Sequence, residues 1–420
     1  MSPIRPTVTL VGLRSEPEHY RLRDFLTRIA QPHAWLEAGT READTALEAH
    51  GGKHLELPVL VDGDRVMAAV TVRDLAEAWQ MASPPERGHY DIAIVGAGPA
   101  GLAAAVYAAS DGLSTIVLDR DVPGGQASHT SLIENFFGFP QGIGGAELAR
   151  RAGRQAERFG AELTLLRGVT ESRTDSDGLF HIDVEGGHEI TARVALAAPG
   201  MVWRRFEIAG VEELLGRGVY YGAGRSEAAQ CGGEDVVVVG AGNSAGQAVL
   251  NLADAGARVA MLVRGGRLGQ TMSQYLVDRI SQHKLIDVRF GTQVETVHAE
   301  DGHLAAITVV GPNAQRQHRP AQALFLCIGG EPRTAWTAKA GVRTDAAGYI
   351  LTGPDLLEMG ERPAGWPLAR DPLALETSVP GLFAAGDARH GSTKRVAGAV
   401  GEGAMAVALA HRRLQELATV

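Results

Sequence analysis

Cysteine is nearly missing from this chain, with only Cys231 and Cys327 among 420 residues. Two thiols so far apart in sequence exclude both a disulfide framework and a cysteine-ligated zinc site, so they are expected to be buried bystanders and no metal is expected. Long apolar runs are missing too. None approaches the ~20 residues that span a bilayer, and the N-terminus has no basic stretch leading into an apolar segment and a cleavage site. A cytoplasmic location without a membrane partner is therefore expected. There is no basic run either: 49 acidic and 40 basic residues are intermixed, for a net charge of −9, which argues against nucleic acid as a partner. What the chain has in abundance is glycine, 53 residues against 19 prolines, in a composition that is 45% hydrophobic. Its length suits two or three globular domains with substantial cores.

Residues 1–82 alternate strand and helix patterns. Val8 to Leu13 reads as a strand, an amphipathic stretch follows to Ile29, and Ala34 to Leu36 reads as a second strand. After a second helix, Leu57 to Met67 contains the turn Val61-Asp62-Gly63-Asp64, and Thr71 to Gln80 reads as a closing helix capped by Thr71. This order resembles a thioredoxin or glutaredoxin fold, with Leu57-Pro58-Val59 at the place of that fold's cis-proline. Where the resemblance implies a redox dithiol, the chain reads Gly12-Leu13-Arg14-Ser15-Glu16-Pro17. A docking, dimerisation or structural role is expected of the module. A polar linker follows at 83–89.

Two strand–glycine–helix units come next. Asp91 to Val95 leads into Gly96-Ala97-Gly98-Pro99-Ala100-Gly101 and an alanine-rich helix. Gly96 permits the tight turn, Gly98 lets the backbone approach a pyrophosphate, and Gly101 allows close helix–strand packing. The next strand, Thr115 to Leu118, ends at Asp119, placed to accept hydrogen bonds from an adenosine ribose. Asp235 to Val239 leads likewise into Gly240-Ala241-Gly242-Asn243-Ser244-Ala245. The strand after it ends in Arg264, with Arg267 close behind, and guanidinium suits a ribose 2′-phosphate, so NADPH is favoured over NADH. An α/β fold of two three-layer Rossmann-type domains, preceded by the small thioredoxin-like domain, is the expected architecture.

Further segments do not follow from periodicity. Pro123-Gly124-Gly125-Gln126 and Ile133-Glu134-Asn135-Phe136-Phe137-Gly138-Phe139-Pro140, then Thr377 through Gly386-Asp387, then Arg395-Val396-Ala397, resemble the FAD motifs of low-molecular-weight thioredoxin reductases in the same order. The resemblance covers roughly residues 90 to 415. It implies FAD in the first unit and NADPH in the second, with an FAD domain over 90–210 and 325–420, an NADPH domain over 211–324, and a homodimer. It also implies that Gly125, Gln126, Asn135 and Asp387 touch FAD, and that the helix opened by Arg395 points its N-terminus at the flavin's pyrimidine edge. Two departures stand out: Pro199 replaces the threonine of the usual Ala-Thr-Gly, and Gly265 replaces a second arginine beside Arg264.

The resemblance also implies a Cys-x-x-Cys pair ahead of the second glycine motif. Here Gly222 and Arg225 hold those positions. The expectation drawn from this is an oxidoreductase that is not a functional thioredoxin reductase. Hydride would pass from NADPH to flavin, and electrons would go directly to an external non-disulfide acceptor, a small organic molecule. Two alternatives are a reductase for a small electron-transfer protein such as ferredoxin, and a non-catalytic flavin-binding sensor or assembly subunit. Arg225, which could fix an anionic substrate, and His129 and His390, which could supply a proton near neutral pH, are the candidate catalytic residues.

Overall fold

The computed structural model describes residues 6–52, 54–222, 225–270 and 272–419; of Arg225 and Ser226 only the backbone is described. At the N-terminus, β1 (Val8–Gly12), β2 (His33–Glu37), β3 (Val59–Asp62) and β4 (Arg65–Met67) form one sheet in the order β2-β1-β3-β4. The β1–β2 pair is parallel and the other two are antiparallel. Three helices connect and cover it: α1 (Pro17–Arg28), α2 (Arg41–Glu48) and α3 (Val72–Ala78). Local chemistry sets their starts. Pro17 opens α1, Thr40 caps α2 through the Ala43 N–H, and Thr71 and Asp74 cap α3 reciprocally. The Leu57–Pro58 peptide is cis.

This module is docked on both units that follow. Its core of Val8, Leu10, Leu22, Phe25, Leu26, Leu60, Leu75 and Trp79 is completed by Val122. From α1, Arg28 pairs with Asp121 at 2.7 Å and donates to Ser128 Oγ at 3.1 Å. On the side of the second unit, Arg14 grips Glu234 with two bonds of 2.8 Å, and the Tyr20 and Tyr220 rings lie 5.0 Å apart. The linker is anchored as well, by Ala82 O accepting from Arg167 Nε and by Glu86 N donating to Glu162.

The first nucleotide unit is built on β5 (His89–Val95), β6 (Thr115–Leu118), β7 (Glu162–Thr164), β8 (Val169–Thr174), β9 (Phe180–Val184) and β10 (His188–Ala197). They run in the order β7-β6-β5-β10-β9-β8. The four strands β7, β6, β5 and β10 are parallel. Helices α4 (Pro99–Ser110) and α5 (Gly145–Arg158) lie against this sheet. Helix α4 is alanine-rich and buried nearly all round because α5 and the last helix of the chain both pack on it.

From here β11 (Met201–Trp203) leads to the second unit. Strands β12 (Val219–Tyr221), β13 (Asp235–Val239), β14 (Arg258–Val263) and β15 (Ile286–Phe290) carry α6 (Arg225–Ala228), α7 (Asn243–Asp254) and α8 (Gln274–Gln282) between them. A three-stranded antiparallel sheet of β16 (Gln293–Glu300), β17 (His303–Val310) and β18 (Arg316–Pro320) is inserted next. Strand β19 (Ala323–Leu326) then pairs on both sides within the second sheet, giving the order β12-β19-β13-β14-β15. The second sheet thus runs to Leu326. The return runs through β20 (Gly330–Pro332), which pairs antiparallel with β11, so the two passages between units form one ribbon. Strand β21 (Leu382–Ala384) joins β10 in the first sheet, and α9 (Val396–Ala418) closes the chain.

The first glycine turn shows how tightly these pieces meet. Gly96 has φ +112, and a Cβ on it would lie 2.1 Å from Ala198 O. A Cβ on Gly101 would lie 1.8 Å from Gly96 O, whereas one on Gly98 would meet nothing within 4 Å. Replacing Gly101 with Val should therefore cost about 3 kcal/mol or more of stability, while Gly98→Ala should leave the thermal melt close to the parent's. Equal melting of the two variants would contradict this packing.

Candidate functional site

The open backbone at Gly98 lies where several elements converge. Gly124 N donates to Ala97 O at 2.7 Å, and a Cβ on Gly125 would sit 3.5 Å from Gly98 Cα. Gly386, just beyond β21, approaches Ala100 closely, with 3.1 Å between its would-be Cβ and that of Ala100. Glu402 of α9 holds this corner by accepting from Gly386 N at 2.7 Å and pairing with Arg389 at 2.8 Å. Asp119 braces the turn, accepting from Ala97 N at 2.6 Å and Asp121 N at 3.0 Å. Burial pushes its carboxyl above the usual range, against the opposing effect of those two N–H groups. Asp387 is half-buried and also pushed up by burial, while Lys394 acts in the opposite direction and donates to the Asp387 carbonyl. Arg395 is the N-cap residue of α9, followed by Val396 and Ala397 in its first turn, and no side chain caps these N–H groups. Asn135 is exposed. The surroundings fit a dinucleotide: a cradle at Gly98 that a side chain would narrow, and uncapped N–H groups at two helix starts.

The second turn repeats the arrangement. Gly240 has φ +148, and a Cβ on it would lie 2.4 Å from Cys327 O; one on Gly242 would meet nothing within 4 Å. Ala245 is fully buried at the close-packing position. Asn243 is engaged with α8, donating to Ser273 Oγ at 3.1 Å and accepting from Ser273 N at 2.7 Å. Beyond β14, Arg264 and Arg267 are exposed, and neither has an ion-pair partner among the described residues. Free guanidinium groups at that position fit a ribose 2′-phosphate.

Between the two turns lies a cleft. Gln126, His129, Thr130 and Ser131 line it from the first unit, Trp203 from the crossover, and Gly222, Ser244, Gln247 and Ala248 from the second. Gln126 Nε2 donates to Met201 O at 3.1 Å, Gln247 Nε2 to Leu132 O at 3.2 Å, and Arg279 pairs with Glu134 at 3.1 Å. His129 meets the Trp203 ring edge-on with centroids 6.3 Å apart. Its Nδ1 lies 3.5 Å from Asp24 of α1.

Of the three catalytic candidates, only His129 is placed in this lining. The Arg225 side chain falls outside the described residues. His390 sits in the returning segment, its Nδ1 2.7 Å from Asp345 and its backbone N–H bonded to Ile350 O. Cys231 and Cys327 are both free and buried, and burial pushes each thiol up to about 12. Among the described residues no group of His, Cys, Asp and Glu could hold a metal ion, and no helix is long and apolar enough to cross a membrane. Sequence reasoning missed Trp203, Gln247 and Asp24. Gln247 had a signal, since Ser244, Gln247 and Ala248 have the spacing of one helical face. Trp203 and Asp24 had none, because tertiary packing alone brings Trp203 into the lining and Asp24 beside His129.

Residues 90–403 match the family model described as pyridine nucleotide-disulphide oxidoreductase. The thioredoxin reductase of Bacillus subtilis (strain 168) is 30% identical over 331 residues, covering 78% of this chain and 96% of that protein. That of Treponema pallidum (strain Nichols) is 33% identical over 322 residues, covering 76% and 94%. Among solved structures, thioredoxin reductase of Lactococcus lactis in its FR conformation is similar with a TM-score of 0.68 and 27% identity, covering 78% of this chain and 99% of that one. The thioredoxin reductase of T. acidophilum gives 0.67 and 26%, covering 77% and 98%. FAD and NADPH, the cofactors expected from the sequence, are those of this family.

These relationships overturn one expectation. A non-disulfide acceptor, and with it a small organic substrate and the exclusion of thioredoxin reductase activity, was inferred from the missing cysteine pair. The relatives are disulfide reductases, and they support a disulfide as acceptor and a small redox protein as partner. Losing an internal carrier removes a relay; it does not by itself change the chemistry of the final acceptor. The chain belongs to the pyridine nucleotide-disulphide oxidoreductase family and is thioredoxin reductase-like.

Proposed function

We propose that this protein is an NADPH-dependent flavoprotein that reduces the disulfide of a small redox protein of thioredoxin type, with that disulfide entering the cleft at Gly222. The observation that carries this reading is the lining itself. Gly222 and His129 face one cleft, and Gly222 stands where the family resemblance places the first cysteine of the internal pair. Since no dithiol of the chain can stand there, the partner's own disulfide takes that place. The N-terminal sheet and helices read as a thioredoxin-like module without a dithiol, the protein as a cytoplasmic homodimer, and the segments 90–210 and 325–420 as the FAD-binding part.

In this reading the pyrophosphate of FAD lies against the Gly98 backbone and the α4 N-terminus, with Gly125, Gln126, Asn135, Gly386 and Asp387 around the rest of the cofactor. Arg395, Val396 and Ala397 bring the α9 N-terminus toward it. Gly242, Ser244 and Ala245 form the NADPH turn, and Arg264 and Arg267 hold the 2′-phosphate. Bound FAD supplies two-electron transfer between nicotinamide and acceptor. The overall change converts NADPH, one proton and a disulfide into NADP+ and two thiols. His129 is the side chain that delivers the proton to the leaving sulfur in the cleft. His390, held by Asp345, supports the returning segment.

Two measurements test this. Arg264→Ala should raise the KM for NADPH by about tenfold and leave the KM for NADH nearly unchanged, because only NADPH carries the phosphate; equal effects would contradict the assignment. With thioredoxin and a chromogenic disulfide under anaerobic conditions, NADPH oxidation should proceed. It should stay within about twofold of the parent in Cys231→Ser and Cys327→Ser, whose protonated, buried thiols are poor nucleophiles. No thioredoxin-dependent turnover in the parent would overturn the proposed function, and a large loss in either serine variant would show that the chain's own thiol carries electrons.

A further inference from the structure

The N-terminal module touches one residue of the cleft lining, His129. Helix α1 presents Asp24 and Arg28, one turn apart, to the turn that ends at His129. Arg28 donates to Ser128 Oγ at 3.1 Å and pairs with Asp121 at 2.7 Å, fixing the residue next to His129 and the loop before it. Asp24 stands between Arg28 and His129, with Oδ2 3.7 Å from Arg28 and Oδ1 3.5 Å from His129 Nδ1. The imidazole also meets the Trp203 ring edge-on, with centroids 6.3 Å apart. Among the described residues, Nε2 is left without a protein partner. A carboxylate at one ring nitrogen selects the tautomer and stabilises the charged ring, leaving the other nitrogen for a reacting group.

We infer that Asp24, carried on the appended N-terminal module, is the positioning residue for His129, so that the module completes the disulfide-reducing site of the second half-reaction. This rests on the proposed role of His129 in the cleft. The electrostatics agree. Burial alone would raise the Asp24 carboxyl, but hydrogen bonding and charge from His129, then charge from Arg28 and Arg23, hold it below its ordinary value. Asp24 is therefore ionised at neutral pH and available to orient the ring. Asp121, which pairs with Arg28 at 2.7 Å, and Asp119 are the other carboxylates that act on Arg28. The inference gives the dithiol-free module a function: it supplies one carboxylate and clamps the loop on which that carboxylate acts.

The test uses the full-length holoenzyme labelled with 15N-histidine, with the His129 resonance assigned by its loss in His129→Gln. In the parent at alkaline pH, neutral His129 should carry its proton on Nδ1, the tautomer that solvent-exposed imidazole disfavours. Asp24→Asn should abolish that signature and lower kcat for thioredoxin reduction about tenfold with little change in the KM for NADPH, and Asp24→Glu should restore most of both. An Nε2-protonated ring in the parent would overturn the inference, and this readout needs no Asp24 variant to fold. So would an Asp24→Asn protein whose His129 spectrum matches the parent's. Undiminished thioredoxin reduction by His129→Gln would instead sink the proton-delivery reading while leaving the observed tautomer to report on the pairing.

Discussion

Both nucleotide turns are pressed against the carbonyl of a neighbouring strand's exit, and most of the architecture follows from that contact. Ala198 O, just past β10, closes on Gly96, and Cys327 O, just past β19, closes on Gly240. Neither Gly96 nor Gly240 has room for a side chain. The contact requires β10 and β19 to lie beside the motif strands β5 and β13, which the register confirms. It also sends the chain out of each sheet at the edge where the helix N-termini emerge, so that the crossover ribbon of β11 and β20 passes between the two sites. Trp203, on that ribbon, becomes part of the cleft for this reason.

The second determining feature is α1. It is the helix of the N-terminal module that packs on the first nucleotide unit through Arg28 and, near its start, on the second through Tyr20, with Arg14 adding an ion pair just before it. An ion pair at a partly exposed site contributes little on its own. Several of them around a shared apolar cluster that includes Val122 fix a geometry more than they add stability. That geometry brings Asp24 to His129. A module without redox sulfur can therefore matter to redox chemistry by position alone.

The parts of this organisation that were legible in the sequence are the local ones. Gly96, Gly98 and Gly101 belong to one strand–turn–helix, as do Gly240, Gly242 and Ala245, so the turn itself was readable from neighbours along the chain, although the carbonyls of Ala198 and Cys327 that close on it were not. The Thr71 cap and the turn at Gly63 were readable for the same reason. The partners of strand β19 were not, because Ala-Leu-Phe-Leu has the composition of any buried strand, and β12 and β13 are chosen by pairing across long loops. The side-chain partner of Asn243 was not legible either: its amide bonds to Ser273, the residue that precedes α8. His129 and His390 looked equivalent as protonatable groups in flavin motifs; tertiary packing separated them, one into the cleft and one onto Asp345. The missing cysteines at 222 and 225 were read incorrectly as a changed acceptor, since one short segment says nothing of the chemistry to which the rest of the scaffold is suited.

The central claim is that a disulfide reductase of this family works here without a redox disulfide of its own. Its most direct test is an anaerobic dithionite titration of the purified holoprotein, followed by flavin absorbance and by thiol content before and after. The account predicts that full reduction takes about two electrons per FAD and exposes no new thiols, because flavin is the sole carrier. Uptake of about four electrons per FAD, with two thiols appearing, would contradict it.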